Sequence, residues 1–375
     1  MNILHFNTHL DLGGITSYLE TLGKALKKKG HKVSLLSGGG SKIPVFERNG
    51  IRCFVFPIRT KSEVHPRLWK AVPGIVRMVR KEKFDVLHAH TRVTQVLASA
   101  VSGLTGVPSI STAHGFYKPR LGRKLFPCWG ERVVAVSPLV AEELQKTHGV
   151  PAPRIRVVNN AVDLEDFERR LRAHDPAKVR SENGIPEKAF VIGCISRLVK
   201  DKGQEYLVEA LARLVKEIPS AFLVLVGNGR EKERLEALIL KLGLGGHVRM
   251  IAGIEDTASI LPAIDVFVHP ATYREGFGLA IAEAMVAKKP VVLTKIPALD
   301  TLFQDGVDAL LVPPKDAGAL SRAITGLFGD PEKARHLAGK GHEKVTALCR
   351  AERQADEIEA VYREVLAEHG KRKKA

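Results

Sequence analysis

Short runs rich in β-branched and aliphatic residues recur along the chain, and each is followed by a longer segment of helical period. That alternation constrains the fold more than any single motif. It calls for repeated βαβ units, whose crossovers lay helices on both faces of a parallel sheet. Strands are expected near 2–7, 32–37, 51–57, 85–90, 108–114, 132–137 and 155–159. The alternation then stops. Residues 161–188 are rich in Asp, Glu, Arg and Pro and poor in apolar side chains, which reads as an interdomain connection with a short helix. It restarts at Val191, with strands near 191–196, 221–227, 248–252, 266–269, 290–294 and 309–312. Two doubly wound α/β halves of similar size follow. A last helical pattern over 352–369 carries Ile358, Val361, Tyr362 and Val365 on one face. It ends in Lys371-Arg372-Lys373-Lys374-Ala375, read as a frayed, solvated end.

A length of 375 residues fits two domains at roughly 150 residues each. With 45% hydrophobic and 26% charged residues, there is ample apolar surface to bury, which excludes a mainly disordered chain. No apolar run approaches the roughly 18 residues of a spanning helix. The start, Met1-Asn2-Ile3-Leu4-His5, lacks the basic-then-apolar pattern of a signal peptide. Cys53, Cys128, Cys194 and Cys349 are far apart with no Cys-x-x-Cys pair, which argues against structural zinc or a disulfide framework and fits a reducing cytoplasm. The net charge of +17 is uneven: residues 1–163 hold 25 Lys+Arg against 10 Asp+Glu, residues 164–375 hold 33 against 31. A basic field on one half implies an anionic partner surface.

In open α/β sheets ligands bind beyond the carboxyl ends of the strands, so the residues after each strand are where chemistry is expected. The most informative stretch is Arg274-Glu275-Gly276-Phe277-Gly278-Leu279-Ala280-Ile281-Ala282-Glu283-Ala284-Met285, after the strand ending Val268-His269-Pro270. Gly276 and Gly278 permit tight turns and close approach of a ligand, and a helix from about Leu279 would aim free N–H groups at an anion. Glu283 lies in an apolar helix where a lone carboxylate is costly without a partner, and ribose hydroxyls would supply two donors. Directly after the first strand of the second half comes Ile195-Ser196-Arg197-Leu198-Val199-Lys200-Asp201-Lys202-Gly203. Arg197 can pair with phosphate oxygens in two-pronged fashion and Lys202 adds a compact charge, so a diphosphate site is expected. Gly227-Asn228-Gly229 lacks the third glycine of a dinucleotide fingerprint and reads as a turn lining the pocket, with Asn228 a candidate contact. At Gly253-Ile254-Glu255, backbone contacts to a base are expected.

In the first half, Gly13-Gly14 lies between the first strand and its helix, where backbone N–H groups can face a phosphate or sugar; no Gly-Lys-Ser/Thr follows, so it is not a Walker loop. His114 ends the strand at 108–114 and is placed for ligand work. His88 and His90 have weaker claims: their spacing hints at metal, but no acidic or cysteine cluster supports it. There is also no Asp-x-Asp pair to hold a divalent ion on a diphosphate. Two basic and apolar stretches suit an anionic membrane interface. In residues 67–83, Arg67, Lys70, Arg77, Arg80, Lys81 and Lys83 alternate with Leu68, Trp69, Val72, Ile75, Val76 and Val79, and Pro73 interrupts the pattern. In residues 117–126, Lys118, Arg120, Arg123 and Lys124 accompany Tyr117, Leu121, Leu125 and Phe126.

Taken together, these residues resemble the retaining GT-B glycosyltransferases of group 1, the family of sucrose synthase and phosphatidylinositol mannosyltransferase, over nearly the whole length. The marks are Glu275-x7-Glu283 with Glu-Gly-Phe-Gly, Arg197 with Lys202-Gly203, Gly13-Gly14, His114-Gly115-Phe116, Val136-Ser137-Pro138 and Asn160-Ala161-Val162-Asp163. Asn160-Ala161 departs from the family's usual Asn-Gly. The resemblance implies two Rossmann-like domains facing across a cleft: 1–163 on the acceptor side, 164–351 binding the nucleotide sugar, and a final helix 352–375 packing back on the first. It implies that Arg197 and Lys202 hold a diphosphate and Glu283 a ribose. Glu275 with the N–H groups of Phe277 and Gly278, beside Gly276 and Leu279, would hold the donor sugar, and His114 would approach the reacting carbon.

The expected activity is retaining, metal-independent hexosyl transfer without a cofactor, from a nucleotide-diphosphate sugar, uridine before guanosine. The acceptor would be a lipid-linked or cell-surface polysaccharide or lipopolysaccharide, at the inner face of the cytoplasmic membrane. A sugar-nucleotide epimerase would need further acidic groups that the sequence lacks. A basic nucleic-acid binder would need a recognition helix or aromatic RNA motif, also lacking.

Overall fold

The computed structural model describes residues 1–374. All thirteen expected strands form. In the first sheet they are β1 (Asn2–Phe6), β2 (Lys32–Ser37), β3 (Arg52–Val55), β4 (Val86–Ala89), β5 (Ser109–Ala113), β6 (Val133–Ala135) and β7 (Ile155–Val157), in the order β3-β2-β1-β4-β5-β6-β7. The second holds β8 (Phe190–Ile195), β9 (Ala221–Val226), β10 (Val248–Ile251), β11 (Val266–His269), β12 (Val291–Thr294) and β13 (Leu310–Val312), in the order β10-β9-β8-β11-β12-β13. Every pairing is parallel. Parallel strands are covered on both faces, which is why β4, β5 and β9 are buried at every position. In each sheet the strand order reverses beside its first strand, between β1 and β4 and between β8 and β11. A reversal of this kind opens a crevice at the carboxyl ends, where ligands bind.

The chain divides into two compact units, Met1–Ala161 together with the segment from Ala351, and Val162–Arg350. The acidic and basic stretch after residue 161 is not a connector. It forms two helices, Leu164–Arg172 and Pro176–Glu182, capped by Asp163 and Asp175, and both pack into the second unit. Few apolar residues were needed: Phe167, Val179 and Ile185 are buried, and Arg180 pairs with both oxygens of Asp265 at 3.0 and 2.9 Å.

Pro73 does not break its helix, which runs from Pro66 to Glu82. The proline sits on the exposed side, so the carbonyl it leaves unpaired can meet water, while Leu68, Ala71, Val72, Ile75 and Val79 face the core. In the stretch 117–126, Arg123 turns inward, against the expectation of a surface cation. Its guanidinium lies over the rings of Tyr117 and Trp129, at 4.3 and 4.7 Å, and donates to Gln95 at 3.2 Å. Lys118, Arg120, Leu121, Lys124, Leu125 and Phe126 are exposed. No helix among the described residues is long and apolar enough to cross a membrane.

The final helix, Ala351–Lys374, belongs to the first unit and continues past the point where fraying was expected; Ala375 lies outside the described residues. Ala355, Ile358, Val361, Tyr362 and Val365 join a core with Tyr18, Leu19 and Leu22 of the helix Gly14–Lys28. Glu364 accepts from Arg132 and Arg156, and Lys29 pairs with Glu359 at 2.8 Å. The Tyr362 hydroxyl meets His88 Nδ1 at 2.7 Å inside this core. Tyr362→Phe leaves that ring nitrogen buried without a partner, and the expected loss of stability is about 1–3 kcal/mol. Urea unfolding followed by circular dichroism measures it; an unchanged midpoint would mean the bond adds nothing.

Candidate active site

In the second unit, the loop after β8 carries Arg197 and Lys202. Gln204, which the sequence reading passed over, shapes it by donating from Nε2 to Ser196 Oγ at 2.8 Å and to the Arg197 carbonyl at 2.9 Å. Gly203 is required on two counts: φ is +66°, and a Cβ would lie 2.1 Å from the Pro270 carbonyl oxygen. That close approach brings the loop against the end of β11. There Lys202 forms an ion pair with Glu275 Oε2, while Arg197 stays exposed.

Glu275 is the hub. Its Oε2 also receives His269 Nε2 at 2.9 Å, and its Oε1 accepts the N–H of Gly276 at 3.1 Å. Burial would raise its carboxyl, but the His269 hydrogen bond and the Lys202 charge outweigh it and hold Glu275 well below the usual carboxylate range. Burial lowers His269, more than the adjacent carboxylate raises it, so a neutral ring donates from Nε2 and its bare Nδ1 stays buried without a partner. His269 is the functional residue most plainly missed. It is a strand-end histidine, the same signal that singled out His114.

Beyond Gly276, Phe277 is buried, and Gly278 starts the helix Leu279–Val286 with φ at +79°. The N–H groups of Phe277 and Gly278 have no partner among the described residues. Glu283 is one turn further along and does not join Glu275; its Oε2 accepts from Thr257 Oγ1 at 2.9 Å. Burial pushes its carboxyl up to about 7, against the Thr257 hydrogen bond and the Arg170 charge. Since this folded value lies above 4.5, the protonated form stabilises the fold fully below pH 4.5, and that contribution is lost as pH rises through about 7. Arg170, held by Asp166 and Asp256, comes from the segment read as a connector.

The turn after β9 has a structural reason for its glycines. A Cβ on Gly227 or Gly229 would sit 2.0 Å from the carbonyl oxygen of Ser196 or Leu198. Asn228 Oδ1 accepts the N–H of Gly253 at 3.1 Å, which ties this turn to the one carrying Ile254.

In the first unit, Gly13 has φ at +153° and precedes the helix that begins at Gly14. His114 lies just beyond β5, half-buried, with its Nε2 3.0 Å from His90 Nδ1. His90 Nε2 is in turn 2.9 Å from His5 Nδ1. His88 is satisfied separately, by Tyr362 and by Thr112 Oγ1 at 2.7 Å each. Ring nitrogens of His5, His88 and His90 lie within 4.8 Å of one another, a spacing compatible with a metal. Hydrogen bonds already occupy every one of them except His5 Nε2, so the donor set is committed to the protein.

Residues 175–344 match the model for glycosyl transferases group 1, and residues 12–166 that for glycosyltransferase family 4. The chain is 31% identical over 294 residues to the lipopolysaccharide core biosynthesis glycosyltransferase LpsE of Rhizobium meliloti, covering 78% of each chain. It is 27% identical over 347 residues to the phosphatidyl-myo-inositol mannosyltransferase of Mycolicibacterium smegmatis, covering 89% of this chain and 86% of that one. Among solved structures, Anabaena HepE in complex with UDP-glucose superposes with a TM-score of 0.83 at 23% identity, over 97% of this chain and all (100%) of that one. The sucrose-phosphate synthase of Thermosynechococcus elongatus gives 0.81 at 23%, over 98% and 99%. These likenesses identify the two sheets as the GT-B fold, and the chain belongs to the group 1 glycosyltransferase family.

Proposed function

We propose that the protein is a retaining, metal-independent hexosyltransferase that moves a sugar from a UDP-sugar to a lipid-linked or cell-surface glycan. The observation that carries this reading is the knot at the carboxyl ends of β8 and β11, where Lys202, His269 and Gly276 converge on Glu275. An ammonium has three donors, so Lys202 can keep Glu275 and still meet a phosphate oxygen. Arg197 and Lys202 take the diphosphate, Glu283 the ribose, and Glu275 with the N–H groups of Phe277 and Gly278 the donor sugar. Gly276 and Leu279 flank those N–H groups at the sugar, and Asn228 and Ile254 line the base end. Within residues 1–163, taken as the acceptor-side domain, Gly13, Gly14 and His114 are the candidate ligand-facing groups, and residues 164–351 bind the donor.

The chemistry follows from charge. Departure of the leaving group concentrates negative charge on the diphosphate, and preorganised cations and N–H dipoles stabilise it without reorganising at that moment. Attack from the face the diphosphate leaves gives retention, with a phosphate oxygen taking the acceptor's proton. Relatives named for lipopolysaccharide core and phosphatidylinositol substrates support an acceptor at a membrane. The exposed Lys118, Arg120, Lys124, Leu121, Leu125 and Phe126 suit the anionic inner face of the cytoplasmic membrane.

A panel of nucleotide sugars, assayed for nucleotide release with lipid-linked acceptors in anionic vesicles, tests this. UDP-sugars are expected to support turnover, and Lys202→Ala and Glu283→Ala to lower kcat/KM by about a hundredfold or more. Unchanged turnover in both would refute the site assignment. Glu283 adds a pH signature. Ribose hydroxyls favour its ionised form, so UDP affinity should rise with pH by up to about tenfold per unit until about pH 7 and then level. Titration calorimetry on the wild type and Glu283→Gln separates this from the titration of UDP itself; the same slope in both would place the ribose elsewhere.

A further inference from the structure

Three adjacent central strands of the first sheet each place a histidine at or near the carboxyl end. His5 lies within β1, His90 follows β4 and His114 follows β5. Parallel register sets His5 opposite His88 and His88 opposite Ile110, so His90 and His114 stand successively further out. The rings join in one line, His5 Nδ1 to His90 Nε2 at 2.9 Å and His90 Nδ1 to His114 Nε2 at 3.0 Å.

The line has only two possible proton arrangements. Burial lowers His5 and His114 to about 3, and His88 and His90 well below their ordinary value, so every ring is neutral near pH 7. A neutral imidazole has one donor and one acceptor nitrogen, so His90, bonded through both, must donate on one side and accept on the other. If protons point inward, His114 donates from Nε2, His90 donates from Nε2, and His5 is left with an N–H on its own Nε2. That atom is buried without a partner. If protons point outward, the same atom is a bare acceptor. Orphaned buried donors are rarer than under-used acceptors, which selects the outward arrangement.

We propose that His5 and His90 are positioning residues that lock His114 as an Nδ1–H tautomer, with its Nε2 lone pair consumed by His90. This rests on the reading of His114 as the group that meets the donor sugar. The remaining nitrogen, Nδ1, has no partner among the described residues. His114 is thereby a permanent hydrogen-bond donor to a substrate oxygen and not a general base. The ligand class it selects at this point is a hydroxyl or other oxygen acceptor. The same arrangement leaves the acceptor's proton to the leaving diphosphate, because the ring has no free lone pair to take it.

Nitrogen-15 histidine spectra of the full chain near pH 7, with signals assigned by their loss in His114→Gln, His90→Gln and His5→Gln, read the tautomers directly. The expected result is protonated Nδ1 and bare Nε2 on both His114 and His90, and protonated Nδ1 on His5. Protonated Nε2 on His114, an imidazolium on His114 or His90, or displacement of these signals by Zn²⁺ alone would overturn the proposal. In His90→Leu, His114 should become a mixture of tautomers and kcat should fall about tenfold with the donor KM little changed. His90→Gln, which keeps an amide donor, should recover most of that loss. A fall in kcat in His90→Leu with the His114 tautomer intact would make His90 merely structural and overturn its role. If His90→Leu does not fold, the wild-type tautomers alone decide. The expected tautomers in a protein that turns over no nucleotide sugar would refute the proposed function and leave the lock standing.

Discussion

The arrangement at the head of β11 depends on keeping one poorly solvated carboxylate ionised. Glu275 would be a neutral acid at this depth if burial acted alone. His269 supplies a hydrogen bond and Lys202 charge, and together they reverse the sign of the shift, while the Gly276 N–H caps the other carboxylate oxygen. The contacts that bring these groups together are backbone contacts. Gly203 lets the β8 loop touch the Pro270 carbonyl, and Gly227 and Gly229 let the β9 turn rest on the same loop. A side chain at any of the three would push the loop off and strand Lys202 from its partner.

The two units solve a similar problem with different chemistry. Each reverses its strand order beside its first strand and gathers polar side chains at that point. In the second unit those groups are ions, Lys202 and Glu275, suited to a diphosphate and to the charge that grows on it. In the first they are neutral rings, His5, His90 and His114, which under the proposed arrangement would direct a donor without adding charge. Sugar hydroxyls need direction more than charge, and neutral groups carry a smaller burial penalty than ions.

Much of this was legible before the structure. The central strands were visible because a parallel sheet buries both their faces and leaves apolar runs with no alternation to confuse the reading, whereas the edge strands β3 and β10 are only partly buried. Arg197, Lys202, Glu275 and Glu283 stood out because a charge beside a strand end or inside an apolar helix needs a reason. What escaped depends on contacts distant in sequence. The helices at Leu164–Arg172 and Pro176–Glu182 need only Phe167, Val179 and Ile185 to dock, too few to give a periodic signal. Periodicity marks Pro73 as an interruption because it does not reveal that the residue faces outward. Arg123 resembles a surface charge in sequence because no local pattern shows the aromatic rings of Tyr117 and Trp129 closing over it. His5 and His90 are 85 residues apart, and only strand order makes them neighbours.

The most direct test of the account is a crystal structure of the protein with a UDP-sugar. It should show Lys202 Nζ within about 2.7–3.2 Å of both Glu275 and a β-phosphate oxygen, with the ribose hydroxyls on Glu283. A diphosphate bound away from the β8 and β11 ends, with Lys202 still committed to Glu275 alone, would contradict it.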